Sequence, residues 1–279
     1  MNLTDYNEIQ ALLQRHGFRF SKSLGQNFLV RSWVPAAIAD AADLTGDDVV
    51  YEVGPGIGCL TVELAKRAGR VVSLELDKAL MPVLSETLAG CENVEVVFCD
   101  ALKTRFEEPG KFVANLPYNV TSPLLTKVID SDMFDSITVM IQREVAKRIC
   151  AGPGEEDYSS FGIFVQWHYE PQILFDVSPD CFIPQPKVTS SVISMRRRIA
   201  PICEVKDEKL MFSIIRAAFN MRRKTLVNAV SSNLHLDKEK FSALLENLGY
   251  DSRVRGEVLS IRDFARISDE IAKKDGDIA

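Results

Sequence analysis

The stretch "YEVGPGIG" sets Glu52, Gly54, Gly56 and Gly58 between a short apolar run and a helix-like one. Glycines there let a backbone approach a ligand closely, and the free N–H groups that open a helix attract polar or anionic groups. Roughly 20 residues on, where the second strand of such a unit ends, stands Glu75, a carboxylate suited to a ribose diol. A third apolar run, "VEVVFC", leads into Asp100, which can accept a hydrogen bond from an adenine amino group. A tight strand-to-helix turn can demand glycines by itself. A glycine loop with acids at the next two strand ends is a more specific set, and it points to a ligand containing adenosine, held at the carboxyl ends of parallel strands.

The glycine spacing narrows the ligand. A dinucleotide site reads G-x-G-x-x-G. This chain reads G-x-G-x-G with an acid two residues ahead, which resembles the loop of S-adenosylmethionine-dependent methyltransferases. That ligand has an amino-acid end and no pyrophosphate. A fourth apolar run, "KFVAN", leaves into Asn115-Leu116-Pro117-Tyr118. An amide, a proline and an aromatic ring make poor core and a good pocket floor. With an adenine N6 as methyl acceptor, each has a use. The N6 lone pair is delocalised into the ring. The Asn115 side-chain oxygen and the Leu116 carbonyl can accept the two N6 protons and localise that pair. Pro117 stiffens the turn by locking φ at about −65°. Tyr118 offers a stacking face worth roughly 1–3 kcal/mol. No strong base is required, because the nitrogen can lose its proton after transfer; catalysis would rest on positioning and preorganised electrostatics. Alone, the tetrapeptide would read as a strand-terminal turn with a buried tyrosine. Beside the glycine loop, the acceptor site is the better reading.

The elements that must carry these residues follow from periodicity. "TDYNEIQALLQRHGF" reads as a helix capped by Thr4 and stopped by Gly17, "KSLGQNFL" as a glycine-containing loop, and "SWVPAAIADAADL" as a second helix. Then the strands "DDVVYEV", "RVVSLEL", "VEVVFC", "KFVAN" and "SITVMI" alternate with the helices "CLTVELAKRA", "KALMPVLSETLA", "SPLLTKVIDS" and "QREVAKRIC". Short, continuously apolar strands in such alternation predict a parallel sheet covered on both faces. After the polar break "PGEEDYSS", the runs "FGIFVQWHY", "QILFDV" and "SSVISMRRR" read as strands that finish the same sheet. From Glu204 the pattern is helical: "EKLMFSIIRAAF", "KTLVNAVSSNL", "KEKFSALLENLG" and "SIRDFARISDEIA" predict a small all-helical domain, and the tail "KKDGDIA" is expected to fray.

The 279-residue chain, 46% hydrophobic and 26% charged, has the composition of a soluble globular protein and room for a large and a small domain. Its apolar runs fall short of the roughly 18 residues a membrane span needs. Asp5, Glu8 and Gln10 stand where a signal peptide would be basic and then apolar, so a cytoplasmic protein is expected. The cysteines form no C-x-x-C pair and the three histidines are dispersed, which argues against a metal site or a disulfide framework. A net charge of −6 argues mildly against nucleic acid. Placement matters more: residues 196–255 hold thirteen Lys or Arg against seven Asp or Glu, enough for a basic face. Taken alone, such charges would read as solvated helix surface. No long apolar face is left over, which predicts a monomer.

"NLPY" beside "EVGPGIG" resembles the ribosomal RNA adenine N6-dimethyltransferases, and the resemblance runs over nearly the whole chain. "KSLGQNFL" resembles the family's N-terminal cofactor motif, "FIPQPKVTSSV" its segment with a second aromatic, and "AAFNMRRKTL" its C-terminal helical signature, with Phe219 and Leu226 in place. The first and last look closer to bacterial members than to eukaryotic ones. The resemblance implies an α/β fold: a Rossmann-like S-adenosylmethionine-dependent methyltransferase sheet over residues 1–200, with a small all-helical C-terminal domain over 201–279 that binds rRNA. It implies S-adenosylmethionine as cofactor, contacted by Gln26, Asn27, Leu29, Glu52, Gly54, Gly56, Glu75, Leu76, Asp100, Ala101 and Asn115. The catalytic set is Asn115, Leu116, Tyr118 and Phe182, the last a stacking face opposite Tyr118, fixed by the nearby Pro184 and Pro186; no metal is implied. Arg222, Arg223 and Lys224 would contact RNA phosphate. The implied substrate is two adjacent adenines in the 3′-terminal hairpin of 16S rRNA within an immature small subunit. "DYSSFGIFVQ" departs from the Tyr-Gly-x-Leu-Ser frequent in bacterial relatives and is expected to alter a loop near the substrate entrance. Two other readings stay open. One is an adenine methyltransferase of large-subunit rRNA, which would confer macrolide resistance, or of DNA. The other is an assembly factor that binds the subunit without methylating it.

Overall fold

A computed structural model describes residues 1–21 and 24–273. Lys22 and Ser23 of the N-terminal motif, and residues 274–279 of the tail expected to fray, lie outside the described residues. In chain order the elements are α1 (Tyr6–Arg15), β1 (Phe28–Leu29), α2 (Trp33–Ala41), β2 (Val49–Val53), α3 (Cys59–Ala65), β3 (Arg70–Glu75), α4 (Met81–Thr87), β4 (Val94–Phe98), β5 (Gly110–Asn115), α5 (Thr121–Asp130), β6 (Phe134–Gln142), α6 (Arg143–Cys150), α7 (Ser160–His168), β7 (Tyr169–Val177), β8 (Phe182–Ile183), β9 (Ser190–Arg197), α8 (Glu208–Asn220), α9 (Leu226–Leu234), α10 (Lys238–Asn247) and α11 (Ile261–Lys273). None of the described helices is long and apolar enough to cross a membrane.

The chain divides into two compact units: residues 1–146 with 170–197, and residues 147–169 with 198 onward. The first holds a seven-stranded sheet in the order β4-β3-β2-β5-β6-β9-β7. Pairing is parallel from β4 to β6, and β9 runs antiparallel to β6. The central stretches of the middle strands are largely apolar because both faces are covered: Phe112, Val113 and Ala114 of β5 and Ile137, Val139 and Met140 of β6 are all buried. At the amino ends, Tyr51, Phe106, Phe112 and Phe134 pack edge to face with centroids 4.8–6.4 Å apart. The order reverses at β2, which pairs with β3 on one side and β5 on the other.

Three expectations change. The α1 cap is Asp5, whose Oδ1 accepts from the Asn7 and Glu8 amides at 2.9 and 3.0 Å, while Thr4 turns back to the Asn2 side chain. The "NFL" of the N-terminal loop and the "FI" before Pro184 pair as a small antiparallel sheet, Leu29 opposite Phe182. Most consequentially, "FGIFVQWH" is the helix α7 and not a strand. Its β-branched and aromatic residues suit either state, and tertiary packing decides. Ser159 Oγ accepts from the Gly162 amide at 3.1 Å to cap it, and Phe164 and Trp167 meet Phe212 of α8 at 6.0 and 6.3 Å. The segment "DYSSFGIFVQ", expected to alter a loop near the substrate entrance, is the cap and body of this helix; Tyr158 is buried, with its hydroxyl on the Leu259 carbonyl at 3.0 Å. The unit boundary therefore departs from the expected division at residue 200, because residues 147–169 join the helices of the second unit.

That second unit packs α7 to α11 around Ile214, Ile215, Leu226, Phe241 and Phe264. Ser260 and Asp263 form a reciprocal cap at the start of α11, with Ser260 N on Asp263 Oδ2 at 2.8 Å and Asp263 N on Ser260 Oγ at 3.2 Å. A Cβ on Gly162 would run into the Arg148 carbonyl oxygen, whereas one on Gly152 meets nothing within 4 Å. Gly162→Ala is expected to destabilise the protein by about 1–3 kcal/mol, and Gly152→Ala by much less. Urea denaturation of both variants checks this; equal midpoints would contradict the tight helix contact.

Candidate active site

The reversal at β2 opens a crevice at the carboxyl ends of the strands, where ligands bind in such sheets. A pocket there is walled by the loops after β2, β3, β4 and β5 and by residues 24–29. Gly54 and Gly56 turn the first loop with φ of 72° and 61°, a region that side chains disfavour. A Cβ on Gly56 would also press on the Phe28 ring at 3.0 Å. Sequence reasoning passed over Phe28, though it lies between two residues assigned to the cofactor. The Gly56 amide donates to Glu75 Oε2 at 3.4 Å, and the Asp77 amide donates to Glu75 Oε1 at 2.8 Å. Gln26 Oε1 accepts from the Ser21 amide at 2.8 Å, and its Nε2 donates to Asp77 Oδ2 at 2.7 Å. Asn27 Nδ2 donates to the Gly25 carbonyl at 3.0 Å. After β4, Asp100 Oδ1 accepts from the Leu102 amide at 3.0 Å. Lys127, which sequence reasoning missed, donates to the carbonyls of Ala101, at 2.7 Å, and Thr104, and so pins that turn.

The last wall is the "NLPY" turn. Asn115 stands at the end of β5, and its side-chain amide has no hydrogen-bond partner among the described residues. The Leu116 amide donates to the Met140 carbonyl at 3.1 Å, while no described group donates to the Leu116 carbonyl. Two free acceptors thus stand in sequence on one pocket wall. Tyr118 follows, partly exposed, its hydroxyl held by Ser190 Oγ at 2.7 Å. Burial pushes the phenol above its ordinary pKa, so it stays neutral.

All of Gln26, Asn27, Leu29, Glu52, Gly54, Gly56, Glu75, Leu76, Asp100, Ala101, Asn115, Leu116 and Tyr118 line this one pocket. Phe182 does not. Expected as a stacking face opposite Tyr118, it is 4% exposed and packs in the core with Leu29, Val34 and Val192. Its pairing with Leu29 in the small sheet turns the ring inward, and the proline-fixed loop begins only beyond it. The described lining carries three carboxylates, on Glu52, Glu75 and Asp100, and no Lys, Arg or His. Such a wall repels pyrophosphate and accepts a ligand with positive charge and an adenosine-like set of donors.

The family model of ribosomal RNA adenine dimethylases matches residues 17–273. The chain belongs to this family. A relative from Clostridium perfringens, named ribosomal RNA small subunit methyltransferase A, is 47% identical over 96% of this chain and 98% of its own. One of the same name from Alkaliphilus metalliredigens is 44% identical over 96% and 97%. Among solved structures, a dimethyladenosine transferase from Plasmodium falciparum superposes with a TM-score of 0.78 at 28% identity, covering 88% of this chain and 98% of its own. The 23S rRNA methyltransferase ErmE does so with 0.71 at 28%, covering 88% and 99%.

In this dimethylase, Glu52 is 1% exposed and its Oε2 accepts from Thr61 Oγ1 and Ser73 Oγ, each at 2.7 Å. Burial outweighs these bonds and, with the nearby Glu75 charge, raises its pKa from 4.5 to about 7. The Cys59 thiol is pushed up to about 12 by burial and by the Glu52 charge, so it stays protonated and is no nucleophile in the pocket. In the second unit, Arg222 is committed to structure: Nε bonds Glu257 Oε2 at 2.7 Å and Nη2 the Glu155 carbonyl at 3.4 Å. Arg223 and Lys224 are exposed and form no ion pair among the described residues.

Glu52 makes stability pH-dependent. Its folded pKa lies above the unfolded one, so the stability of the protonated form is fully present below pH 4.5 and is lost as pH rises to about 7. The loss by pH 8 is about 3 kcal/mol. Glu52→Gln is expected to match the wild type near pH 4.5 and to be the more stable at pH 8, by denaturant titration. Parallel profiles would show that Glu52 ionises without cost.

Proposed function

We propose that this dimethylase transfers methyl groups from S-adenosylmethionine to N6 of two adjacent adenines in the 3′-terminal hairpin of 16S rRNA, dimethylating each. It would act in the cytoplasm, as a monomer, on an immature small ribosomal subunit. The observation that carries the reading is the pair of free acceptors, Asn115 Oδ1 and the Leu116 carbonyl, on a wall of the same pocket as the glycine loop. The small-subunit acceptor is supported by the names of the relatives at 44–47% identity.

The pocket fits the cofactor. Glu75 would take a ribose diol, Asp100 the adenine amine, and the loop at Gly54 and Gly56, which lines the pocket, the amino-acid end. When bound, S-adenosylmethionine supplies an electrophilic methyl on a sulfonium. The charged groups of the described lining are all carboxylates, which favours that positive charge, and Glu52 would ionise in response. Asn115 and Leu116 take the two N6 protons as hydrogen bonds and localise the lone pair, while Tyr118 stacks on the base, its ring held by Ser190. The methylated nitrogen sheds its proton afterwards, so no side chain has to be a base. Orientation and fixed dipoles lower the barrier. The helical unit would hold the rRNA through Arg223 and Lys224.

The deciding experiment incubates purified protein with labelled S-adenosylmethionine and small subunits lacking the modification, then identifies nucleosides by mass. N6,N6-dimethyladenosine in the 3′-terminal fragment is expected. Asn115→Ala should lower its formation by about 100-fold or more with particle binding near wild type. Binding by the wild type without methylation would mean an assembly factor, and methylation only of large-subunit RNA or DNA would mean a different acceptor. Removing Arg223 and Lys224 together should reduce the slope of log affinity against log salt by about 1.5–2. Arg222→Ala should instead lower thermal stability, because it removes the bonds to Glu257 and to the Glu155 carbonyl and leaves the Glu257 side chain, among the described residues, only the longer contact with Arg255.

A further inference from the structure

Asp77 lies outside the pocket lining and yet is bonded to three pieces of the wall. Its Oδ2 accepts from Gln26 Nε2 at 2.7 Å, and Gln26 Oε1 in turn accepts from the Ser21 amide at 2.8 Å, which ties Ser21 and Gln26 to Asp77. Its amide donates to Glu75 Oε1 at 2.8 Å and so fixes the carboxylate at the end of β3. Its Oδ1 accepts from the Ala79 amide at 3.0 Å and caps the single helical turn at Lys78–Leu80, which carries Leu80 into the pocket wall. Glu75 passes the restraint on to the glycine loop through the Gly56 amide at 3.4 Å. Gln26, on this geometry, engages both ends of its amide, one with Ser21 and one with Asp77.

We propose that Asp77 is a positioning residue: with Gln26 it forms a latch that couples the placing of Gln26 and of the pocket-lining residues after it to the setting of the Glu75 carboxylate, and thereby sets the affinity for S-adenosylmethionine. The inference rests on the cofactor reading above. A charge-assisted bond between an amide and a carboxylate, across 51 residues of sequence, is strong enough to hold Gln26 in place before the ligand arrives, and such preorganisation favours binding.

The polarity of the latch supplies its own test in the full-length protein. Asp77→Asn sets two carboxamides against each other, and Gln26→Glu sets two carboxylates against each other, so each single variant breaks the latch. In the double variant the carboxylate introduced at position 26 accepts from both the Ser21 amide and the carboxamide introduced at position 77. The oxygen of that carboxamide still caps the Ala79 amide, so the latch is rebuilt in reverse. Binding of S-adenosylmethionine is measured by calorimetry and its release by stopped flow. Each single variant is expected to weaken binding about tenfold or more, with the loss in KM for the cofactor and not in kcat, and the double variant to return to within about threefold of wild type. Gln26→Glu separates the latch from a simple charge effect, since an added negative charge alone would tighten a cationic ligand. Unchanged affinity in Asp77→Asn, tighter binding in Gln26→Glu, or no recovery in the double variant would each overturn the proposal. Failure of the wild type to bind S-adenosylmethionine would overturn the cofactor reading and the latch with it.

Discussion

The parallel pairing of β2 with β3 on one side and β5 on the other is the contact on which the pocket depends. It brings the ends of four strands, spread over more than sixty residues of sequence, to one crevice. Each end contributes a different chemistry: the glycine turn after β2, the acid closing β3, the acid after β4 and the amide closing β5. None of these residues is reactive alone. The register of a buried sheet is strongly specified, because a slip of one residue would turn every side chain to the wrong face. Precision at the site is therefore a by-product of the core, where Phe112, Val113 and Ile137 leave no freedom for the strands that carry Asn115.

Electrostatics complete the selection that shape begins. Carboxylates on three of the walls, one of them buried with a pKa near neutrality, leave the pocket anionic and partly protonated. Such a site gains by taking a cation, because the cation removes a repulsion already present. The same field keeps Cys59 protonated and harmless. On the same pocket the Asn115 side chain and the Leu116 carbonyl stand without partners among the described residues, beside a described lining that holds no Lys, Arg or His.

The two units illustrate different uses of charge. In the first, Glu52, Glu75 and Asp100 converge on one pocket. In the second, seventeen Lys or Arg nearly balance sixteen Asp or Glu, and the cations are divided between structure and surface: Arg222 is drawn into an ion pair with Glu257, and the neighbouring Arg223 and Lys224 stay exposed. A basic run in a sequence does not say which of its members is free, because the partner can lie 35 residues away.

Much of this was legible in the residues themselves. Strand and helix alternate with periods that a chain cannot hide, so the parallel sheet, the glycine loop, Glu75, Asp100 and Asn115 could be read as one site before any coordinates. Those are local signals: a turn that needs positive φ, a strand end, an acid at a fixed distance. Tertiary structure alone decided the rest. "FGIFVQWH" is apolar enough for a strand or a helix, and its packing on α8 made it a helix and moved the boundary of the second unit. Phe182 sits in a motif that suggests exposure, and its pairing with Leu29 buried it. Asp77, silent in the sequence, became a junction because the loop holding Gln26 folds back across the end of β3. Short-range preferences follow from each residue's own chemistry, whereas burial and long-range partners are properties of the packed chain.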